Sequence, residues 1–249
     1  MKTILEIDKL YGGYLFNKPV IQNISFTVAE GEMVGLIGLN GAGKSTTIKH
    51  ILGLLTPQKG AIRAGGTTLQ ENPEDYRASF TYVPESPELY DELTIREHLE
   101  LTALAYGVSR GEYEERSASL LKRFRMEEKQ GSFSMHLSKG MRQKVMLMNA
   151  FLPEPPLYII DEPFLGLDPL GIRSLLDLMS DFKQRGASFL ISSHILSTIE
   201  KYCDSYVVLH HGIVAAQGKL EDIRKQAGMP SGASLDEIFF ALTGEEAGL

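Results

Sequence analysis

Gly38-Leu39-Asn40-Gly41-Ala42-Gly43-Lys44-Ser45 is the stretch that decides the fold. It fits G-x-x-x-x-G-K-[ST], follows the apolar run Met33–Ile37 and opens a helical pattern over Lys44–Leu54. Strand, glycine loop and helix in that order distinguish a phosphate-binding loop from an ordinary turn. The glycines let backbone N–H groups converge on phosphate oxygens, and the amides and dipole of the helix N-terminus add to the same field. In such a loop Lys44 reaches the β- and γ-phosphates and the Ser45 hydroxyl serves Mg2+. The nucleotide-binding candidates are therefore Gly38, Leu39, Asn40, Gly41, Ala42, Gly43, Lys44, Ser45 and Thr46.

Far downstream, Leu157-Tyr158-Ile159-Ile160-Asp161-Glu162-Pro163 runs apolar residues straight into two carboxylates. A buried strand would deliver both acids to its C-terminal end, the edge where open α/β sheets bind ligands. Asp161 suits a direct or indirect Mg2+ role, and Glu162 suits polarising an attacking water. An acidic pair alone could also be a plain strand-end turn. Its pairing with the glycine loop is what favours chemistry.

Strands are expected at Ile4–Ile7, Ile24–Val28, Met33–Ile37, Phe80–Val83, Tyr158–Ile160, Ser188–Ile191, Tyr206–Leu209 and Ile213–Ala216. Helices are expected at Lys44–Leu54, Ile95–Tyr106, Tyr113–Arg123, Ser138–Leu152, Pro169–Lys183 and Ile195–Tyr202. This alternation predicts a mostly parallel α/β core with an antiparallel β layer at the N-terminus. Residues 86–153 read as a helical insertion subdomain. The main domain is expected over 1–228, with a short helical tail over 229–249 and a helix at Leu235–Leu242.

Composition narrows the function. The 25 Lys and Arg against 32 Asp and Glu leave a net charge of −7, which argues against a surface devoted to nucleic acid. With Cys203 as the one cysteine, no intramolecular disulfide and no multi-cysteine zinc site can form. The longest stretches free of Asp, Glu, Lys and Arg, Gly186–Ile199 and Ser205–Gly218, are 14 residues each. A helical membrane span needs about 20. A cytoplasmic protein is expected.

Three further segments narrow the class of nucleotide enzyme. Leu137-Ser138-Lys139-Gly140-Met141 opens a helix 24 residues before Asp161, Gly166-Leu167-Asp168 follows Glu162, and His194 ends a strand 33 residues after Asp161. With these the chain resembles, over nearly its full length, the ATP-binding subunits of ABC transporters. The Ecs-type branch is nearest in wording, through Gly35–Asn40 and Asp161–Asp168. The resemblance implies a P-loop NTPase of ABC type that hydrolyses ATP with Mg2+. It also implies a head-to-tail pair with a second ATPase subunit, taken as a homodimer. Leu137–Met141 would be the signature motif, with Ser138, Lys139, Gly140 and Met141 completing the partner's ATP site. By the same resemblance, His194 holds the γ-phosphate and the water, Glu162 is the base, and Asp168 contacts the partner near the nucleotide. Lys44 and Glu85 join Glu162 and His194 as catalytic candidates, and Ser45, Glu85 and Asp161 serve the metal. An aromatic stacks on adenine: Tyr14 by its spacing to Val20-Ile21, with Tyr11 as the alternative.

Three departures from the family pattern stand out. Lys139 and Met141 replace a glycine and a glutamine of the usual signature, Glu85 stands where glutamine is usual, and the overall balance is acidic. Export-type relatives often carry that glutamate. The resemblance implies an exporter-type system in which an integral membrane subunit supplies the pore, with this chain peripheral on the inner face of the membrane. A groove beside the insertion and Glu85 would hold a cytoplasmic helix of that subunit. A soluble ABC-type ATPase acting on ribosomes or DNA is the alternative. It usually brings long coiled-coil insertions, zinc-binding cysteines or two cassettes, none of which is present. His98 and His136 read as surface or interface residues, His210-His211 as a strand-end turn, and the charges at Glu112–Arg116 as a solvated helix face.

Overall fold

The computed structural model describes residues 2–244. In chain order it contains β1 (Thr3–Gly12), β2 (Ile21–Ala29), β3 (Met33–Ile37), α1 (Lys44–Ile51), β4 (Lys59–Ala64), α2 (Pro73–Ala78) and β5 (Phe80–Val83). The helical region follows as α3 (Ile95–Ala105), α4 (Arg110–Phe124) and α5 (Lys139–Phe151). Then come β6 (Leu157–Asp161), α6 (Pro169–Gln184), β7 (Ser188–Ser193), α7 (Leu196–Tyr202), β8 (Ser205–His210), β9 (Ile213–Gly218), α8 (Leu220–Gln226) and α9 (Leu235–Thr243).

The strands form two sheets, one of order β5-β6-β7-β3-β8-β9 and one of order β2-β1-β4. β3, β6 and β7 are buried at every position, as strands covered on both faces must be, and their sequences are correspondingly near-continuous apolar runs. Their parallel register sets Asp161 opposite Ser192 and Ile37 opposite Ser193. The glycine loop after β3 and the acids after β6 therefore emerge at the same edge. The smaller sheet is antiparallel throughout, and its Leu5, Ile7, Ile24 and Val28 share one buried cluster with Ile48 and Ile51 of the P-loop helix. The expected parallel core, antiparallel layer and helical insertion are thus all present.

Differences from the expected elements are local. α1 closes at Ile51 instead of Leu54, because Gly53 takes φ +74° and the N–H groups of Leu54 and Leu55 turn back to Lys49 O. α4 starts at Arg110, held by a capping box in which Ser109 and Glu112 exchange hydrogen bonds. β4, α2 and α8 were not expected. Only Ile62 and Ala64 of β4 are buried, so its sequence carries little strand pattern. α2 is a six-residue helix announced by Asn72 as N-cap and Pro73 at its first position.

Two side-chain expectations are corrected. His98 is buried, its Nδ1 donating to Thr94 O at 2.8 Å while its Nε2 accepts the Tyr90 N–H at 3.0 Å. It pins the segment leading into α3. Arg116 is half-buried, bonding Leu152 O, Pro153 O and Glu112, so the Glu112–Arg116 face is only partly solvated. At the chain's end Leu235, Ile238 and Phe239 of α9 bury into the same core as Ile199 and Val208. Glu200 accepts the Leu235 N–H at 3.0 Å. Residues 245–249 of the expected tail, like Met1, lie outside the described residues. Among the described residues no helix is long and apolar enough to cross a membrane.

Candidate active site

The loop between β3 and α1 is shaped by its glycines. Gly43, the N-cap of α1, takes φ +109°, and a Cβ there would meet the Ile21 side chain at 2.8 Å. A Cβ on Gly38 would stand 2.6 Å from Leu209 O. Inside the loop Lys44 curls back, its Nζ donating to Gly38 O at 2.7 Å and to Leu39 O at 3.3 Å. Burial pushes the Lys44 pKa down, and the carboxylates of Glu162, Asp161 and Glu85 oppose that shift. The ammonium is thus held desolvated, where an incoming anion gains most from it.

Opposite stand the two acids. Ser192 donates its hydroxyl to Asp161 Oδ1, from the neighbouring strand position that the register assigns. Burial pushes the Asp161 carboxyl up, and the Ser192 hydroxyl, Lys44 and the Ser45 hydroxyl pull against it. Glu162 turns off the strand at φ +48°, its N–H donating to Ser192 O at 3.0 Å. That turn aims its carboxylate at His194: Glu162 Oε2 lies 2.8 Å from Nδ1 and accepts the His194 N–H at 3.3 Å. Glu162 is buried, whereas His194 is half exposed.

These groups line one cavity of about 260 Å3, bounded by Leu39, Asn40, Lys44, Ser45, Glu85, Asp161, Glu162 and His194. The four catalytic candidates and the three metal candidates all meet there. Ser45, Glu85 and Asp161 offer hard oxygen donors. Among the described residues no group of three or more His, Cys, Asp and Glu could hold a metal by itself. That donor set fits Mg2+, which keeps waters and takes substrate phosphates as further ligands instead of an all-protein cage.

The other nucleotide-binding candidates lie elsewhere. Tyr14 is 59% exposed, on the loop between β1 and β2, with its hydroxyl accepting from Lys49 of α1 at 3.2 Å. Tyr11, the alternative, is half-buried under Lys59. Ser138 is the N-cap of α5, its hydroxyl accepting the Met141 N–H at 3.3 Å, with Lys139 exposed beside it. Gly140 packs so closely on the 163–168 loop that a Cβ would stand 2.9 Å from Gly166 O. Asp168 caps α6 through Gly171 N–H at 2.7 Å and pairs with Lys144 at 3.6 Å. None of Ser138, Lys139, Gly140, Met141 or Asp168 lines the cavity. Ser192 and Lys49 are the neighbours that sequence reasoning missed. Ser192 becomes visible only through the β6–β7 register, and Lys49 only once the β1–β2 loop is placed against α1.

A family model described as ABC transporter matches residues 21–165. The ATP-binding protein EcsA of Bacillus subtilis is 57% identical over 246 residues, covering 99% of both chains. A solved ATP-binding subunit of an ABC transporter superposes with a TM-score of 0.93 at 58% identity, covering 96% of this chain and 99% of that one. A bacterial Atm1-family ABC exporter with ATP bound aligns with a TM-score of 0.80 at 25% identity, covering 98% of this chain and 42% of the other. Fold, loop chemistry and relatives agree: this chain belongs to the ATP-binding subunits of ABC transporters and is an ATP-binding ATPase of that family.

Proposed function

We propose that this subunit drives a separate, exporter-type membrane subunit by Mg2+-dependent ATP hydrolysis within a head-to-tail pair of its own kind. One observation carries the reading. The residues that cradle and attack phosphate share one cavity, while the exposed N-terminus of α5 sits outside it. An exposed helix N-terminus capped by Ser138, with no acid in its first turn, is suited to an incoming γ-phosphate. A second copy turned head to tail would bring that helix end to the mouth of the cavity.

Within the pair, Lys44 and the Gly38–Thr46 amides hold the phosphates, and Tyr14 stacks on adenine. Glu162, oriented by its hydrogen bonds with His194, accepts a proton from the attacking water, and His194 holds the γ-phosphate. Mg2+, when bound by Ser45, Asp161 and Glu85, neutralises developing phosphate charge. Lys139 adds a cation to the shared site. Asp168 meets the partner chain.

The membrane contact falls to a second groove, whose lining includes Tyr82, Glu88, Leu89, Tyr106, Met146 and Asn149, between the end of β5 and the helices α3 and α5. Thr81 Oγ1 and Asn149 Oδ1 are buried in its wall without hydrogen-bond partners, and Glu88 is its one charged group. A helix bearing apolar residues complements that surface. Such docking places the chain peripherally on the inner face of the membrane. Affinity capture of tagged protein from gently solubilised membranes tests the reading. Stoichiometric recovery of a polytopic membrane protein is expected, and recovery of ribosomes or DNA-bound proteins in its place would overturn it.

A further inference from the structure

Tyr14 sits on an exposed loop with little packing behind it. Its neighbours Leu15 and Phe16 are exposed as well. The loop backbone is closed by Lys18 N–H to Leu15 O at 3.1 Å, and the Gln58 amide donates to the same oxygen at 2.9 Å. Neither contact fixes the Tyr14 ring. What reaches the ring is Lys49, whose Nζ lies 3.2 Å from the hydroxyl and 5.2 Å from the ring centroid. The ammonium is nearer the oxygen than the centroid, so it leans over the hydroxyl end of the ring. Lys49 belongs to α1, the helix whose first turn carries Lys44, Ser45 and Thr46.

We infer that Lys49 is a positioning residue that ties the Tyr14 base platform to the phosphate-binding helix, fixing the distance between adenine and triphosphate sites. This rests on the proposed reading of Tyr14 as the surface that stacks on adenine. A free tyrosine on a solvated loop would lose rotamer and loop freedom each time nucleotide binds. A tie to α1 removes part of that loss beforehand, and it does so through the one rigid element that also sets where the phosphates lie. The electrostatics agree with the geometry. The Lys49 hydrogen bond holds the Tyr14 hydroxyl below the ordinary tyrosine range, and the Thr46 hydroxyl acts in the same direction.

The test compares Lys49→Met, Lys49→Arg, Tyr14→Ala and the Lys49→Met/Tyr14→Ala double variant in ATPase assays on the whole chain. Inorganic tripolyphosphate serves as a competitor that has phosphates and no base. Lys49→Met is expected to raise KM for ATP about three- to fivefold, the range of an exposed polar contact, with kcat held within about twofold. Tripolyphosphate inhibition should not change, and Lys49→Arg should restore most of the ATP affinity. In the Tyr14→Ala background Lys49→Met should add nothing. NMR titration of 13C-labelled tyrosine, assigned with Tyr14→Phe, should show the Tyr14 pKa rising in Lys49→Met without nucleotide. If Lys49→Met weakens tripolyphosphate as much as ATP, Lys49 acts as a phosphate charge and the inference fails. If Tyr14→Ala raises KM and Lys49→Met does not, the inference fails while the adenine platform stands. An unchanged KM in Tyr14→Ala would remove the platform and the inference together.

Discussion

The cavity behind the β3–α1 loop and the exposed start of α5, the two regions proposed to meet phosphate, are built in opposite ways. The first is closed on itself: Lys44 bonds loop carbonyls, Asp161 bonds Ser192, and Glu162 bonds His194. Three strands parallel to one another fix those positions from behind. The second is finished only as a helix end. Ser138 caps α5 from within, and the exposed Lys139 lies beside it next to Gly166. In the proposed reading one region is the catalytic floor and the other its lid. On the proposed head-to-tail reading, the full site would form only when two chains meet, and ATP binding would be converted into movement between them.

The largest test of that contrast acts on the floor. Glu162→Gln keeps size and hydrogen bonding while removing the base, so turnover should fall by about 100-fold or more with ATP binding retained. Steady-state phosphate release and nucleotide binding measured together check this, and turnover within a few-fold of wild type contradicts the assignment.

Ser138→Asp acts on the lid. Asp caps a helix as well as Ser does, so α5 and the thermal stability should survive. In the proposed pair the added carboxylate would face the partner's γ-phosphate, and turnover should drop about tenfold or more through electrostatic repulsion. Nucleotide binding to the isolated chain should stay within about twofold. An equal loss of binding would place Ser138 in the cavity of its own chain.

Asp161→Asn should sharpen the contrast from the stability side. Burial raises the Asp161 pKa in the folded chain, so keeping it ionised destabilises the fold at neutral pH. The variant should be inactive and yet melt higher at pH 7 than the wild type. The gain should shrink as pH falls through the folded pKa toward about 3.9, where Asp161 is protonated in both folded and unfolded states. Melting curves of the nucleotide-free protein across pH read this directly, and a gain that grows on acidification would show the opposite sign.

The smallest effect is expected from Lys139→Gly. The side chain is exposed, and a cation at the rim of the shared site contributes modestly in water. KM for ATP should rise no more than about threefold, and the effect should be lost at high salt. A larger change that persists in salt would make Lys139 a central contact.

The cavity was legible in the sequence because each of its members lies at the end of a strand that reads as an apolar run. Ile37, Asp161 and Ser193 end three parallel neighbours, so the residues at and after those ends had to share an edge. Ser192 was not legible, since its use depends on which residue lies across from Asp161. His98 misled for a related reason: a histidine in a charged helix pattern looks exposed, and only tertiary packing supplies the Tyr90 N–H that satisfies it. β4 was missed because just two of its side chains are buried, leaving no periodicity to read. Lys49 belongs to a contact between an irregular loop and a helix, which no local pattern encodes.

The central claim, that the start of α5 completes the ATP site of another chain, is most directly tested by sedimentation of Glu162→Gln with and without Ser138→Asp. The account predicts that Glu162→Gln forms a dimer on adding ATP and Mg2+, and that Glu162→Gln/Ser138→Asp binds ATP equally well and stays monomeric. A double variant that dimerises with ATP as readily as Glu162→Gln alone would contradict it.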